Sequence, residues 1–235
     1  MERLTPRIVR VVLAGRELEG LTVDLPAASV RLLIPSPGTD ALVIPEWNGN
    51  EFLLPDGERP IIRTFTPRRV EPGAGRVELH IVVHDGGAVS AWAATAEPGA
   101  RAAISGPGRG YEIEGDAAAY LLAGDETAIP AVCQLLEVIP SGTPVQVLLE
   151  VAEPEGRFPL PGHPNATVQW CDLPAGAAPG DALVAAVSGA ELPEAVRVWA
   201  AGEAAAVQRM RRHLFEERGL PRSQVTARGY WKQGR

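Results

Sequence analysis

Four short stretches of the 235-residue chain carry residue types that could grip a ligand or a redox group. In Arg63-Thr64-Phe65-Thr66-Pro67-Arg68, extended alternation sends Arg63, Phe65 and Pro67 to one face and Thr64, Thr66 and Arg68 to the other. An arginine beside an aromatic ring can clamp a phosphate and stack on a planar group; the same pair also reads as one core aromatic and one solvated edge residue. Gly87-Ala88-Val89-Ser90 opens a helix with small residues, so its backbone N–H groups can receive a pyrophosphate. A plain helix start with Ser90 in its first turn is the competing reading. Leu122-Ala123-Gly124-Asp125-Glu126-Thr127-Ala128 sets a glycine at the end of an apolar strand with a helix behind it, the place where dinucleotide phosphates bind in open parallel sheets. It is not a full GxGxxG, and Asp125-Glu126 repels phosphate unless turned aside. Trp199-Ala200-Ala201-Gly202-Glu203 repeats the strand, glycine and helix logic, and Gly229-Tyr230-Trp231-Lys232 supplies an aromatic and cationic tail able to cover a flat cofactor or meet an anion.

Other chemistries find little to stand on. His80 and His84, four apart on an expected strand, point the same way but lack a third ligand nearby, so no metal site is expected. There is no GxSxG elbow and no P-loop, which removes the usual signatures of hydrolases and kinases. Cys133 and Cys171 are far apart and outside any CxxC spacing, and read as buried thiols. A net charge of −7 argues against a nucleic-acid binder. No stretch reaches the length of a membrane span, and the first residues lack the apolar core of a signal peptide, so a cytoplasmic protein without membrane partners is expected.

The elements that must position these residues fall into two textures. Up to about residue 115, short β-rich runs (residues 8–13, 30–34, 61–66 and 77–84) alternate with Pro and Gly, the pattern of an antiparallel barrel or sandwich, interrupted by one helix from near Gly87 to Ala94. From 116 to 235, near-continuous apolar strands (120–123, 145–149, 168–171 and 196–200) are separated by helical stretches, which predicts a buried parallel sheet in an α/β domain. A helix opens at Ala128-Ile129-Pro130 and stops before Pro140, another runs from about Glu203 to Arg218, and residues 153–165, with four prolines, read as a surface loop.

A barrel bearing Arg-x-aromatic-Thr, then a Gly-x-x-Ser helix start, then an α/β domain, is the order of the ferredoxin reductase-like flavoproteins. More narrowly, the chain resembles the siderophore-interacting protein family of ferric-siderophore reductases. The resemblance rests on residues 63–68, on His84-Asp85-Gly86-Gly87-Ala88-Val89-Ser90-Ala91-Trp92-Ala93, on Ile104-Ser105-Gly106-Pro107, on Ala123 to Ala131, on Ala201-Gly202-Glu203 and on Gly229-Tyr230-Trp231-Lys232, in family order. It implies an FAD-binding barrel over 1–115 and an NAD(P)H-binding-like domain over 116–235. Arg63, Phe65 and Thr66 would then contact the flavin or its phosphates, and Val82, His84, Gly87, Ala88 and Ser90 would line the rest of that site. Gly124, Asp125, Thr127, Ala128, Gly202 and Glu203 would receive a nicotinamide dinucleotide, and Arg68, Trp231 and Lys232 would face the ferric siderophore. Phe65 stands where the family usually has tyrosine, which keeps the stacking and loses a hydroxyl.

A hydride carries two electrons and ferric iron accepts one, so a flavin between them has a clear task. Siderophores hold Fe(III) through hard oxygen donors and Fe(II) far less well, so reduction frees the metal. Since many ferric siderophores are anionic, a basic group drawn from Arg63, Arg68, Arg69, Lys232 and Arg235 is expected to offset the net charge. Glu150 and Glu153 would suit the ribose of NADH and Arg157 the extra phosphate of NADPH; a ferredoxin is a further possible donor. A general NAD(P)H:flavin oxidoreductase and a non-catalytic flavin or siderophore binder are the rival readings.

Overall fold

The computed structural model describes residues 1–84 and 86–234 and divides into two compact units, Met1–Tyr111 and Glu112–Arg235. The division falls four residues ahead of the boundary expected from composition. Glu114 explains the difference: its N–H donates to the Tyr120 hydroxyl, which donates back to the Glu114 carbonyl, both at 3.0 Å, and its carboxylate accepts from Arg197 Nε at 2.6 Å.

In chain order, the first unit consists of β1 (Glu2–Arg3), β2 (Ile8–Ala14), β3 (Val30–Ile34), β4 (Glu46–Trp47), β5 (Phe52–Leu53), β6 (Ile61–Phe65), β7 (Pro67–Glu71), β8 (Arg76–Val82), α1 (Ala88–Thr95) and β9 (Ala103–Ser105). Two antiparallel sheets, β1-β2-β8-β7 and β6-β3-β9, enclose one core, with β4-β5 as a separate hairpin. The pleat decides what goes inside. Val9, Val11 and Leu13 lie opposite Ile81, Leu79 and Val77, and all six turn inward toward Val30, Leu32 and Ile34. Each such side chain, when fully buried, contributes about 1.5–3 kcal/mol. Between β6 and β7 the chain leaves one sheet for the other, and Thr66 and Pro67 are both buried at this corner. The alternation expected through residues 63–68 therefore stops at Phe65.

The second unit contains β10 (Ala119–Asp125), α2 (Ile129–Val138), β11 (Val145–Val151), β12 (Ala166–Asp172), α3 (Asp181–Gly189), β13 (Val196–Glu203), α4 (Ala204–Arg212) and β14 (Val225–Trp231). All five strands are parallel, in the order β12-β11-β10-β13-β14. α3 and α4 share one face of the sheet, where Leu183, Val187, Val207 and Met210 pack on Leu121, Ala123, Val198 and Ala200, and α2 packs against β10 outside that cluster. Strand order reverses between β10 and β13, so the crevice of this doubly wound sheet opens above their carboxyl ends. Two expectations change here. The tail is not an open end, because Val225–Trp231 forms the fifth strand; and the last long helix gives way after Arg212 to a wider turn over His213–Glu217.

The histidines also part company. β8 ends at Val82, so His84 lies beyond the strand, while His80 is buried and its Nε2 sits 2.9 Å from Glu78 Oε1. No cluster able to hold a metal occurs among the described residues. Burial pushes the His80 imidazole below its ordinary value, and Glu78 offsets this only in part. Below the ordinary histidine value of about 6.5 the unfolded chain therefore takes up a proton that the folded chain refuses, and stability falls as pH drops through that range. Urea midpoints are expected to be lower at about pH 5.5 than at about pH 7.5, and His80→Gln is expected to narrow the gap.

Candidate functional site

In the first unit the expected residues lie on or next to β6, β8 and the start of α1, and α1 packs against both strands. Arg63 is exposed on β6, with Nη1 donating to the Ile62 carbonyl at 2.8 Å. Phe65, two residues on and on the same face, is half-buried and rests partly on the core. Thr66 is buried at the corner, and Val82 ends β8 half-buried. The connection into α1 closes tightly: His84 N donates to Ser90 Oγ at 3.1 Å, with Ser90 itself buried. A Cβ placed on Gly87 would lie 2.7 Å from His84 Cε1 and 2.9 Å from Ser90 Oγ, so this backbone passes where no larger residue fits without displacing them. Gly87, at the N-cap of α1, has no side chain with which to cap it, and among the described residues no acidic one occupies the first turn, so the amide end beginning at Ala88 suits an anion. Asp85, part of the motif read here, lies outside the described residues.

The second unit treats its helix starts in the opposite way. Asp125, at the end of β10, accepts from Thr127 N at 2.9 Å and Thr127 Oγ1 at 2.5 Å through Oδ1, and from Glu203 N at 2.9 Å and Trp231 Nε1 at 2.7 Å through Oδ2. Burial pushes its carboxyl up, and the bonds from Thr127, Trp231 and Glu203 pull the other way. Glu203 turns Oε2 onto Ala205 N and Ala206 N, at 2.5 and 2.9 Å, and so caps α4; its Oε1 accepts from Gln233 N at 3.3 Å. Glu150, expected to meet a ribose, instead caps α3, with Oε1 taking Gly180 N at 2.6 Å and Oε2 taking Leu183 N at 2.9 Å; burial raises this carboxyl too. Arg157, expected to meet a phosphate, holds Asp172 at 2.6 and 2.8 Å.

The glycines here make room for protein. A Cβ on Gly202, whose φ is +151°, would lie 2.5 Å from Asp125 Oδ2, and one on Gly124 would collide with the Ala128 methyl. Gly124, Asp125, Thr127, Ala128, Gly202 and Glu203 are thus brought together, as expected, but bonded and packed to one another. Trp231 is 37% exposed, with its indole N–H given to Asp125, and Lys232 beside it is exposed. Arg69 pairs with Glu71 at 2.9 Å, and Arg68 is half-buried. Arg235, the last of the expected basic group, lies outside the described residues.

Two family models match this chain. One, described as the siderophore-interacting FAD-binding domain, covers residues 1–111, and the other, described as siderophore-interacting protein, covers 117–234. The chain belongs to the siderophore-interacting protein family. Ferric vibriobactin reductase ViuB of Vibrio cholerae is 27% identical over 237 residues, covering 99% of this chain and 86% of that protein. The crystal structure of a siderophore utilization protein from T. fusca matches with a TM-score of 0.80 at 36% identity, over 100% of this chain and 90% of the other. The ferredoxin reductase of carbazole 1,9a-dioxygenase shares the fold, with a TM-score of 0.66 at 16% identity over 97% and 66% of the two chains.

As a siderophore-interacting protein, the chain takes FAD in its first unit, and the residues there fit a phosphate-bearing cofactor: a helix start without an acidic residue in its first turn, a glycine held against His84 and Ser90, and Arg63 on the adjoining strand. The caps at Glu150 and Glu203 escaped sequence reading. Glutamate is not among the usual N-capping types, and Glu150 lies 30 residues from the amide it holds. Only Asp125-x-Thr127 carried a readable sign, the local Asx pattern. Arg63→Ala removes an exposed side chain and is expected to leave the melting temperature nearly unchanged. FAD affinity is expected to fall about 10- to 100-fold, the weight of one charge-assisted hydrogen bond, as read by quenching of flavin fluorescence.

Proposed function

We propose that this protein is an FAD-dependent ferric-siderophore reductase that takes electrons from NADH or NADPH and releases Fe(II) in the cytoplasm. The observation that carries the proposal is α1, opening on Gly87 with no acidic residue in its first turn and packed on the strand that bears Arg63 and Phe65, within a unit matched over its whole length by a siderophore-interacting FAD-binding domain. The name of the Vibrio relative supports the same reaction class. Bound FAD supplies the step from a two-electron donor to the one-electron acceptor Fe(III).

The residues of this chain do the holding. Backbone amides of Gly87, Ala88 and Ser90 and the Arg63 guanidinium meet the cofactor's phosphates, where the helix end and the cation both favour negative charge. Phe65 offers a ring face without a hydroxyl, and Thr66, Val82 and His84 complete the lining. Each nicotinamide donor supplies electrons for two Fe(III) centres and leaves one proton to be released to solvent, and no side chain is assigned as its acid or base. Arg68 and Lys232 attract an anionic ferric complex, with Trp231 presenting the exposed part of its ring. Among the described residues, no helix is long and apolar enough to cross a membrane.

The decisive experiment is an anaerobic absorbance titration of the FAD-loaded protein. Flavin bands are expected to bleach with NADH or NADPH and to return on adding a ferric siderophore. Failure of the bands to return would remove the reductase, and failure to bleach with either nucleotide would move the donor to a ferredoxin. Arg68→Ala and Lys232→Ala are each expected to raise KM for an anionic ferric siderophore about 3- to 10-fold with kcat little changed, as expected for lost uniform binding. An unchanged KM would show that neither cation meets the substrate.

A further inference from the structure

The ends of the strands in the second unit present carboxylates where a dinucleotide-binding sheet presents bare amides. In an open parallel sheet, a pyrophosphate sits on helix N–H groups above the switch point. Here that switch point lies between β10 and β13, and the strands that border it end in Asp125 and Glu203, with Glu150 on the neighbouring β11. The amides of Thr127, Gly180, Leu183, Ala205 and Ala206, which would hold the anion, already donate to these three carboxylates. All three are buried, at 9, 4 and 6% exposure, so they are fixed parts of the packing. The two glycines that would let a pyrophosphate approach are filled by Asp125 and by Ala128. The wider field agrees. The first unit balances 12 arginines against 13 acidic residues, whereas the second carries 10 cations against 16 acids. Arg157, the cation best placed in sequence for an adenosine phosphate, is engaged by Asp172.

We infer that a nicotinamide donor is recognised by this protein through its nicotinamide riboside end alone, its pyrophosphate and adenosine being left unanchored, so that donors differing only beyond the first phosphate are used about equally. The inference rests on the nicotinamide-donor reading above and deepens it. Asp125, Glu150 and Glu203 are, in this view, specificity determinants that act by exclusion: each supplies the helix end with an internal anion and repels an external one.

The test compares NADH, NADPH and reduced nicotinamide mononucleotide as reductants of the FAD-loaded full chain in anaerobic stopped flow. Second-order rate constants within about threefold of one another are expected. In a site that anchors pyrophosphate, each charge-assisted bond lost with the adenylate half would cost about 10-fold or more. A preference of about 30-fold or more for either dinucleotide over the mononucleotide would overturn the inference.

A second measurement separates this from failure of the donor reading. ADP-ribose, which keeps the pyrophosphate and adenosine and lacks nicotinamide, is titrated into the FAD-loaded chain by calorimetry. No binding is expected up to about 1 mM, and a Kd below about 0.1 mM would overturn the inference whichever donor reduces the flavin. If no nicotinamide compound bleaches the flavin and ADP-ribose does not bind, the exclusion stands and the donor is of another class.

Discussion

The second unit is organised around one buried carboxylate. Asp125 gathers four donors from three separate pieces of chain: the turn after β10, the end of β13 and the indole of Trp231 at the end of β14. A group so buried is costly to ionise unless every lone pair is satisfied, and here the set of donors matches what a carboxylate can accept. The consequence reaches beyond electrostatics. Gly202 must lack a side chain because Asp125 occupies that space, Glu203 is brought by its own amide to the point from which it caps α4, and the chain after β14 follows as Gln233 reaches Glu203. Loss of the Asp125 acceptor would leave donors without partners at three places at once, the buried Glu203 amide among them.

The two units resolve the same physical problem in opposite ways. Every helix begins with amides that need an acceptor. At the turn leading into α2 and at the starts of α3 and α4 the acceptor is internal, delivered from the end of a strand, so these amides have no requirement for a ligand. At α1 the N-cap is Gly87, which has no side chain to provide one, and the turn before it is shaped by Gly87, His84 and Ser90 so that backbone can meet a bound group closely. A helix start closed by an acidic side chain has already spent its capacity for an external anion, which sets the strand ends of the second unit apart from the turn before α1 despite similar glycine-bearing motifs.

That distinction also marks where reading the sequence stops. The parallel strands were legible because burial on both faces writes continuous apolar runs such as Val145 to Val151, and the barrel strands because inward residues such as Val9 and Val11 alternate with the more exposed Arg10 and Val12. β14 was not, since Val225-Thr226-Ala227-Arg228-Gly229-Tyr230-Trp231 is a half-buried edge strand with a glycine and an arginine inside it. The turn at Phe65 and Thr66 was missed for a related reason: alternation presumes a strand that stays in one sheet, and this one changes sheets. Motif spacing correctly brought Gly124, Asp125, Gly202 and Glu203 to one crevice. It could not say whether the glycines admit a ligand or the chain's own side chains, because that depends on contacts 78 to 106 residues apart.

A reductase whose substrate is a metal held by a large ligand gains little from a tightly held donor. Outer-sphere electron transfer asks for proximity and a suitable potential, with no bond made between protein and iron, so discrimination belongs on the siderophore side and the cofactor must be the fixed point. The structure distributes its resources accordingly. In the proposed arrangement the first unit offers the turn into α1 to the flavin, while the second unit uses its carboxylates for its own cohesion. Half of the excess of acid in that unit then has a structural origin: its 16 acidic residues exceed its 10 cations by six, and three of them, Asp125, Glu150 and Glu203, accept from backbone amides at or just before helix starts.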